Sequence, residues 1–218
     1  MYFCKDDIVQ LEQRYRTQLI NSLSGFKSAN LIGTTDKAGN ENLAIVSSVF
    51  HLGAHPPLMG MIMRPHSVPR HTLENILDTG VYTINHVSED IFISAHQTSA
   101  RYDKTHSEFD AVKLSPQYLK DFKAPFVSQS KVKIGLALRS SQTLEINNTE
   151  LVIGEVVELH VEDAAISQDG FIDIESLGTV ALSGLDSYHQ THKLGRLKYA
   201  KTSEAPQFLD PLNPKPFD

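Results

Sequence analysis

The chain has one cysteine, Cys4, in 218 residues. A lone cysteine excludes an intramolecular disulfide, and its place near a terminus argues against a catalytic thiol, so a reducing, cytoplasmic setting is expected. No apolar run approaches the ~18 residues of a membrane span, and the opening Met1-Tyr2-Phe3-Cys4-Lys5-Asp6 does not start a signal peptide. Basic residues are outnumbered, 20 Lys+Arg against 26 Asp+Glu. A net charge of −6 disfavours a nucleic-acid surface. Chemical signatures are missing too. There is no His-Glu-x-x-His, no Cys/His framework, no Gly-x-Ser-x-Gly, no P-loop and no Gly-x-Gly-x-x-Gly after a strand. Ten histidines are present, but the pairs His51/His55 and His189/His192 have no carboxylate at ligand-like spacing, so no metal site is expected.

What is there is mostly strand. Leu31 to Thr35 and Leu43 to Phe50 are rich in strand formers, and Asp36 to Asn40 suits a hairpin turn with Gly39 at positive φ. Leu58 to Arg64 is a third run entered through Pro56-Pro57. Its Met59, Met61 and Met63 alternate onto one face and suit an irregular core. A helix is expected next, with Pro69 in its first turn, Leu73, Ile76 and Leu77 on one side and Gly80 as its stop. The unpaired N–H groups of that first turn, with Arg70 and Thr72, can meet an anion. Hydroxyls at Ser47, Ser48 and Ser67 and the cation of Arg64 lie beside the same breaks.

Elsewhere, a helix is expected over 6–23, with Ile8, Leu11, Tyr15, Leu19 and Leu23 on a common side, packed on the barrel. Val81 to His86 reads as a strand, and Ser88-Glu89-Asp90 as a capped start to a short helix. Residues 98–129 read as a long polar loop of the kind that often serves as an active-site wall. Ser130 to Val161 reads as two long strands with a bend at Ser140-Ser141 and a turn at Asn147-Asn148. Long strands joined by short turns, without βαβ alternation, point to a mainly β protein built on an antiparallel barrel with flanking helices. The expected divisions are an N-terminal helix (1–25), the barrel (26–203) and a proline-rich extended tail (204–218).

The ordered string Asn42-Leu43-Ala44, Ser47-Ser48, Pro56-Pro57-Leu58 and Thr72-Leu73-Glu74-Asn75-Ile76 resembles the flavin reductase-like, FMN-binding split-barrel family. The resemblance resumes at Gly80 to Asn85, Thr98-Ser99-Ala100, Glu108-Phe109, Leu151 to Val156 and Leu194 to Tyr199, covering most of 29–201. It implies a split antiparallel Greek-key barrel that binds FMN, takes hydride from NADH or NADPH, and passes electrons to free flavin, a quinone, a metal chelate or a partner oxygenase. The alternative it implies is a flavoredoxin-like electron carrier without a nicotinamide site. A homodimer completing each flavin site is also implied. The cofactor-binding residues it implies are Asn30, Ser47, Ser48, Val49, Phe50, Arg64, Ser67, Arg70, Thr72, Asn85, Ser99 and Ala100, with His189 near the flavin and nicotinamide. Relatives often carry Lys-Asp-Thr at the helix start; here Arg70-His71-Thr72 keeps the cation and replaces a carboxylate with histidine.

Overall fold

The computed structural model describes residues 1–209. Two helices open the chain, α1 (Lys5–Gln10) and α2 (Gln13–Ser22). The single helix expected over 6–23 is broken because Leu11 adopts an extended conformation and Glu12 starts a new helix, its carboxylate accepting the Tyr15 N–H at 2.8 Å. Neither helix buries a side chain. Instead of covering the barrel, the end of α2 lies against the turn at Gly184, where Lys27 Nζ donates to the carbonyls of Asn21 and Gly184.

The strands are β1 (Lys27–Ser28), β2 (Asn30–Thr35), β3 (Glu41–Val46), β4 (Val49–Ala54), β5 (Pro57–Met63), β6 (Val81–His86), β7 (Pro116–Gln117), β8 (Phe126–Val127), β9 (Val132–Leu144), β10 (Thr149–Val161), β11 (Ala181–Ser183) and β12 (Ser187–His189). Between them lie α3 (His71–Thr79), α4 (Phe92–Gln97) and α5 (Glu108–Val112). The expected hairpin is β2–β3, its turn held by the Asp36 carboxylate, which accepts the N–H groups of Ala38 and Asn40, and by Gly39 at φ 88°. The run expected as one strand from Leu43 to Phe50 is two strands, because the chain leaves β2 at Val46 and β4 pairs with β5.

Seven strands form one antiparallel sheet in the order β3-β2-β6-β9-β10-β5-β4. Its two edges, β3 and β4, are joined by Ser47 and Ser48 alone. Such a link reaches only about 10 Å, so the two edges must come together at one end and the sheet curls into a barrel with a seam between them. This is the mainly β split barrel. A bulge in β9 falls at Arg139, one residue before the expected bend, as Leu138 pairs with Gly154 and Ser140 with Ile153.

Side-chain alternation sends neighbours of one strand into two cores. Ile32 joins Met61, Met63, Ile84, Leu136 and Val152 inside the barrel, with Met59 packed against them. Leu31 joins Leu43, Val87, Ala95, Phe109 and Val127 outside it, under α4 and α5. β2 is therefore buried on both faces, although it lies next to the edge of the sheet.

Three further expectations change in detail. Pro69 precedes α3, and the N-cap is Arg70; the buried arc of α3 is Thr72, Leu73, Asn75 and Ile76, with Leu77 left exposed. Thr72 and Asn75 take the inner positions because Asn42 Nδ2 donates to Thr72 Oγ1 at 2.9 Å and Asn75 Nδ2 to Thr34 Oγ1 at 3.1 Å. Ser88 forms a bridge with Thr179 and does not cap α4, which starts after Ile91. The stretch 98–129 contains α5 and the β7–β8 pair. Of the expected tail, Gln207 to Leu209 fold back on Arg196 to Lys198, and 210–218 lie outside the described residues. No helix among the described residues is long and apolar enough to cross a membrane.

Close approach fixes Gly33 at the centre of β2. A Cβ there would lie 2.6 Å from Thr83 Oγ1 and closer still to the Pro125 carbonyl oxygen, while Thr83 Oγ1 itself donates to that carbonyl at 2.7 Å. Gly33→Ala is expected to cost about 3 kcal/mol or to prevent folding, read as a lowered urea midpoint at unchanged m-value.

Candidate functional site

The seam beside β3 opens into a groove of about 1100 Å³. Its existence depends on how β3 is finished. An edge strand presents unpaired N–H groups on one side, and here side chains take them: Leu43 N–H donates to the Glu108 carboxylate at 3.0 Å and Ile45 N–H to Thr98 Oγ1 at 2.9 Å. Glu108 stands at the start of α5 and Thr98 just past α4. No eighth strand is needed on this side, and the space remains for a ligand.

One end of the groove is the start of α3. The Arg70 side chain makes no capping bond, and its Nε donates to the Pro65 carbonyl at 3.3 Å, which leaves the terminal nitrogens of the guanidinium available. Among the described residues, none accepts the first-turn N–H groups of residues 71–73. Thr72 Oγ1 accepts from Asn42, so its own proton is free to be donated. Ser48 Oγ donates to the Ile62 carbonyl at 2.6 Å and keeps its lone pairs. His71 borders both the groove and a small depression shared with Asn42, Asn75, Lys104 and Glu108. Burial raises the pKa of Glu108 above the ordinary glutamate value, with the Leu43 N–H and the nearby His71 pulling it back. The other end is bordered by Gln18 and Asn21 of α2, Leu185, Asp186 and Tyr188. There His96 Nδ1 and the Tyr188 hydroxyl lie 3.0 Å apart, and burial, then Asp186, raises the Tyr188 pKa. Donors for an anion at the start of α3, with polar and aromatic groups at His96 and Tyr188 in the same groove, suit a ligand with a phosphate tail.

The flavin reductase like domain matches residues 23–175. The chain belongs to that family. A structure from Shewanella frigidimarina NCIMB 400, a candidate flavin reductase with split barrel domain, is similar over 92% of this chain and 100% of that one, at 61% identity and a TM-score of 0.89. Nitrilotriacetate monooxygenase component B of Bacillus cereus shares the fold at 20% identity and a TM-score of 0.77, over 88% of this chain and 96% of that one. The flavoredoxin of Desulfovibrio vulgaris (Miyazaki F) does so at 21% identity and a TM-score of 0.66, over 83% and 93%.

Of the residues singled out from the sequence of this flavin reductase-like chain, Ser47, Ser48, Arg64, Arg70, Thr72, Ser99 and Ala100 border the groove together. The others lie elsewhere, each for a physical reason. Asn30 belongs to a strand paired on both sides, and its side chain donates to Ser28 Oγ. Asn85 spends its amide inside the fold, donating to the Leu31 carbonyl and Thr83 Oγ1 and accepting the Val127 N–H. Val49 and Phe50 lie in β4, where the Phe50 ring covers Gly60. Ser67 is exposed in the loop before α3 and does not border the groove. His189 points away because strand neighbours alternate: Tyr188 takes the groove side, while His189 Nε2 lies 2.8 Å from Ser183 Oγ and its ring packs on Phe26. The residues that sequence reasoning missed are Gln18, Asn21 and His96, together with the edge-capping role of Glu108. Only Glu108, within the Glu108-Phe109 match, carried a signal. Among the described residues no three His, Cys, Asp or Glu side chains cluster as metal ligands.

A raised carboxyl pKa binds protons in the folded state that the unfolded state releases, so Glu108 withdraws stability as pH rises from about 4.5 through its folded value. Glu108→Gln keeps an acceptor for Leu43 and cannot ionise. The stability of the wild type relative to Glu108→Gln is expected to fall over that window, measured as the difference in urea midpoints from mildly acidic to neutral pH; a pH-independent difference would contradict it.

Proposed function

We propose that the groove binds FMN and that the protein is an NAD(P)H-dependent flavin reductase of the split-barrel type. The observation that carries this reading is the convergence of Arg70, Thr72 and the uncapped first turn of α3 with Ser47 and Ser48 in one groove. The Arg70 guanidinium, the Thr72 hydroxyl and the helix N–H groups match the oxygens of a phosphate monoester, while the Ser48 proton already goes to the Ile62 carbonyl. Arg64 stands beside them as a second cation. The stretch from Ala44 to Ser48, with Ser99 and Ala100, would hold the ribityl chain and ring. The redox chemistry comes from the flavin once bound: hydride in from the nicotinamide, electrons out to a second acceptor. What this chain contributes is position, since hydride transfer needs no protein acid or base, only one open ring face and aligned reactants.

The acceptor is a free flavin, a quinone, a metal chelate or the oxygenase of a two-component system. The fold shared with a monooxygenase component B supports the last. We further propose a homodimer that completes the site. Its support is the set of large apolar side chains exposed on the single chain, Leu23, Phe26, Phe50 and Leu52; a monomer by light scattering would refute it.

The deciding experiment is the absorbance spectrum of the purified protein, then of the protein with added FMN, then with NADH or NADPH under anaerobic conditions. A bound flavin bleached by nicotinamide is the expected result. Bound flavin bleached by dithionite alone would make the protein an electron carrier. Arg70→Ala is expected to raise the FMN dissociation constant roughly ten- to a hundredfold, read by flavin fluorescence, with the fold unchanged by circular dichroism.

A further inference from the structure

The two opening helices face the wrong way for elements that pack only on their own barrel. On α2, Tyr15, Leu19 and Leu23 recur every fourth residue with Ile20 beside them, so they share a side, while Gln18 and Asn21 lie on the opposite one. It is the polar side that meets the rest of the chain. Gln18 and Asn21 border the groove, Gln18 Nε2 donates to Asp186 Oδ2 at 3.3 Å, and Lys27 Nζ donates to the Asn21 carbonyl. The apolar side is turned outward, with Tyr15 53%, Ile20 44% and Leu23 71% exposed. Val9 of α1 and Phe26, just past α2, are exposed as well.

This leaves the helices without a source of stability. At 6 and 10 residues they are shorter than the ~12–15 at which an isolated helix is even marginal in water, so packing must hold them. Within the chain neither buries a side chain. Surface area points the same way. The chain exposes 13906 Å², where a monomeric protein of 24.3 kDa exposes about 10,000 Å². Residues 210–218 contribute at most about 1500 Å² of the difference, the surface of an extended chain of their mass. What remains, about 2400 Å², is on the scale that one subunit buries in an obligate homodimer, about 1000–2500 Å². The largely exposed stretch 190–209 shares that excess with the helices. Charge favours an identical partner over a lipid surface. Lys5, Arg14 and Arg16 balance Asp6, Asp7 and Glu12, which gives no pull towards anionic lipid and no repulsion against a second such face.

We infer that a second copy of this chain packs on the outward face of α1 and α2, chiefly on Tyr15, Ile20 and Leu23, and so fixes the groove wall formed by Gln18 and Asn21. The inference rests on the homodimer proposed above and says which face makes it. Both helices precede residue 23, where the family domain begins, so the wall they build is an addition to that domain. In the single chain α2 is tied to the barrel by exposed polar contacts alone; apolar contact with the second copy holds it from behind.

The test is sedimentation equilibrium of the flavin-free full-length protein and of Ile20→Asp and Leu23→Asp, with Leu77→Asp on α3 as an exposed apolar residue elsewhere. Both target side chains are exposed in the single chain, so its fold does not depend on them, and near-ultraviolet circular dichroism checks this. The wild type is expected to be a dimer. Ile20→Asp and Leu23→Asp each raise the dimer dissociation constant roughly a hundredfold, because a carboxylate enters an apolar interface, and Leu77→Asp leaves it unchanged. Amide hydrogen exchange over residues 13–22 reads the wall: protected in the wild type, and roughly tenfold faster or more in the two variants. A dimer that both variants leave intact, exchange at one rate in dimer and monomer, or equal dissociation of Leu77→Asp would overturn this inference and leave the homodimer standing. A wild-type monomer would overturn both, and its sedimenting with phospholipid vesicles would make lipid the occupant. Failure to bind FMN would refute only the flavin reading, since no flavin is present in these measurements.

Discussion

The structure depends on how β3 ends its sheet without a neighbour. Its outward N–H groups at Leu43 and Ile45 must be satisfied, because each would otherwise be an unpaired buried donor costing about 1–3 kcal/mol. Had another strand taken them, the barrel would be closed along this edge and no groove would run beside it. Glu108 and Thr98 take them instead. Two side chains thus replace a strand, and the price of the arrangement is a buried carboxylate whose ionisation is penalised by its own surroundings. The second core under α4 and α5, with Phe109 and Ala95 packed on Leu43, holds those two side chains in place. Packing on the outer face and the opening of the seam are one construction.

The same edge gathers residues that are distant in sequence. Ser47 and Ser48 lie where the chain crosses from one edge of the sheet to the other, so their position follows from topology alone. The start of α3 is tied to β2 and β3 by the amides of Asn42 and Asn75, acting through Thr34 and Thr72. Asn42 therefore does two things at once: it fastens the helix to the strand and fills a lone pair of Thr72 Oγ1, which leaves that hydroxyl's proton to be donated. An amide at that position is worth more than its two hydrogen bonds, because the helix start, with its unpaired donors, is positioned through it.

Much of the fold was legible because it is local. The β2–β3 hairpin, the β9–β10 pair and α3 announce themselves by alternation, turn residues and a C-terminal glycine, and each matches its observed position to within a few residues. What was not legible is set by distant contacts. Leu43 to Phe50 is continuous in strand propensity, and only pairing with β5 shows that Val49 begins another strand. The periodicity of 6–23 does not reveal the break at Leu11, where the chain turns extended and a capping carboxylate starts a new helix. For the site, the cations and hydroxyls at the start of α3 and the link after β3 could be marked from residue type, whereas Asn30, Asn85 and His189 could not be told from ligand-facing residues. Their chemistry is the same in either role, and only the partners found in three dimensions show that their polar atoms serve the fold.

Tyr188 and His189 show why that distinction matters for function. Adjacent residues on β12 face opposite ways, so the hairpin offers the groove a phenol and sends the imidazole to Ser183 and Phe26. The groove is then bordered by a polar aromatic pair, Tyr188 and His96, and by the cation of Arg70. The Arg101 to Lys104 segment adds cations and an aromatic ring to its border. Lys104 shares a depression with His71, Asn42 and Asn75, so the loop that follows α4 brings its charge to the same helix start, and cations far apart in sequence gather at one border of the groove.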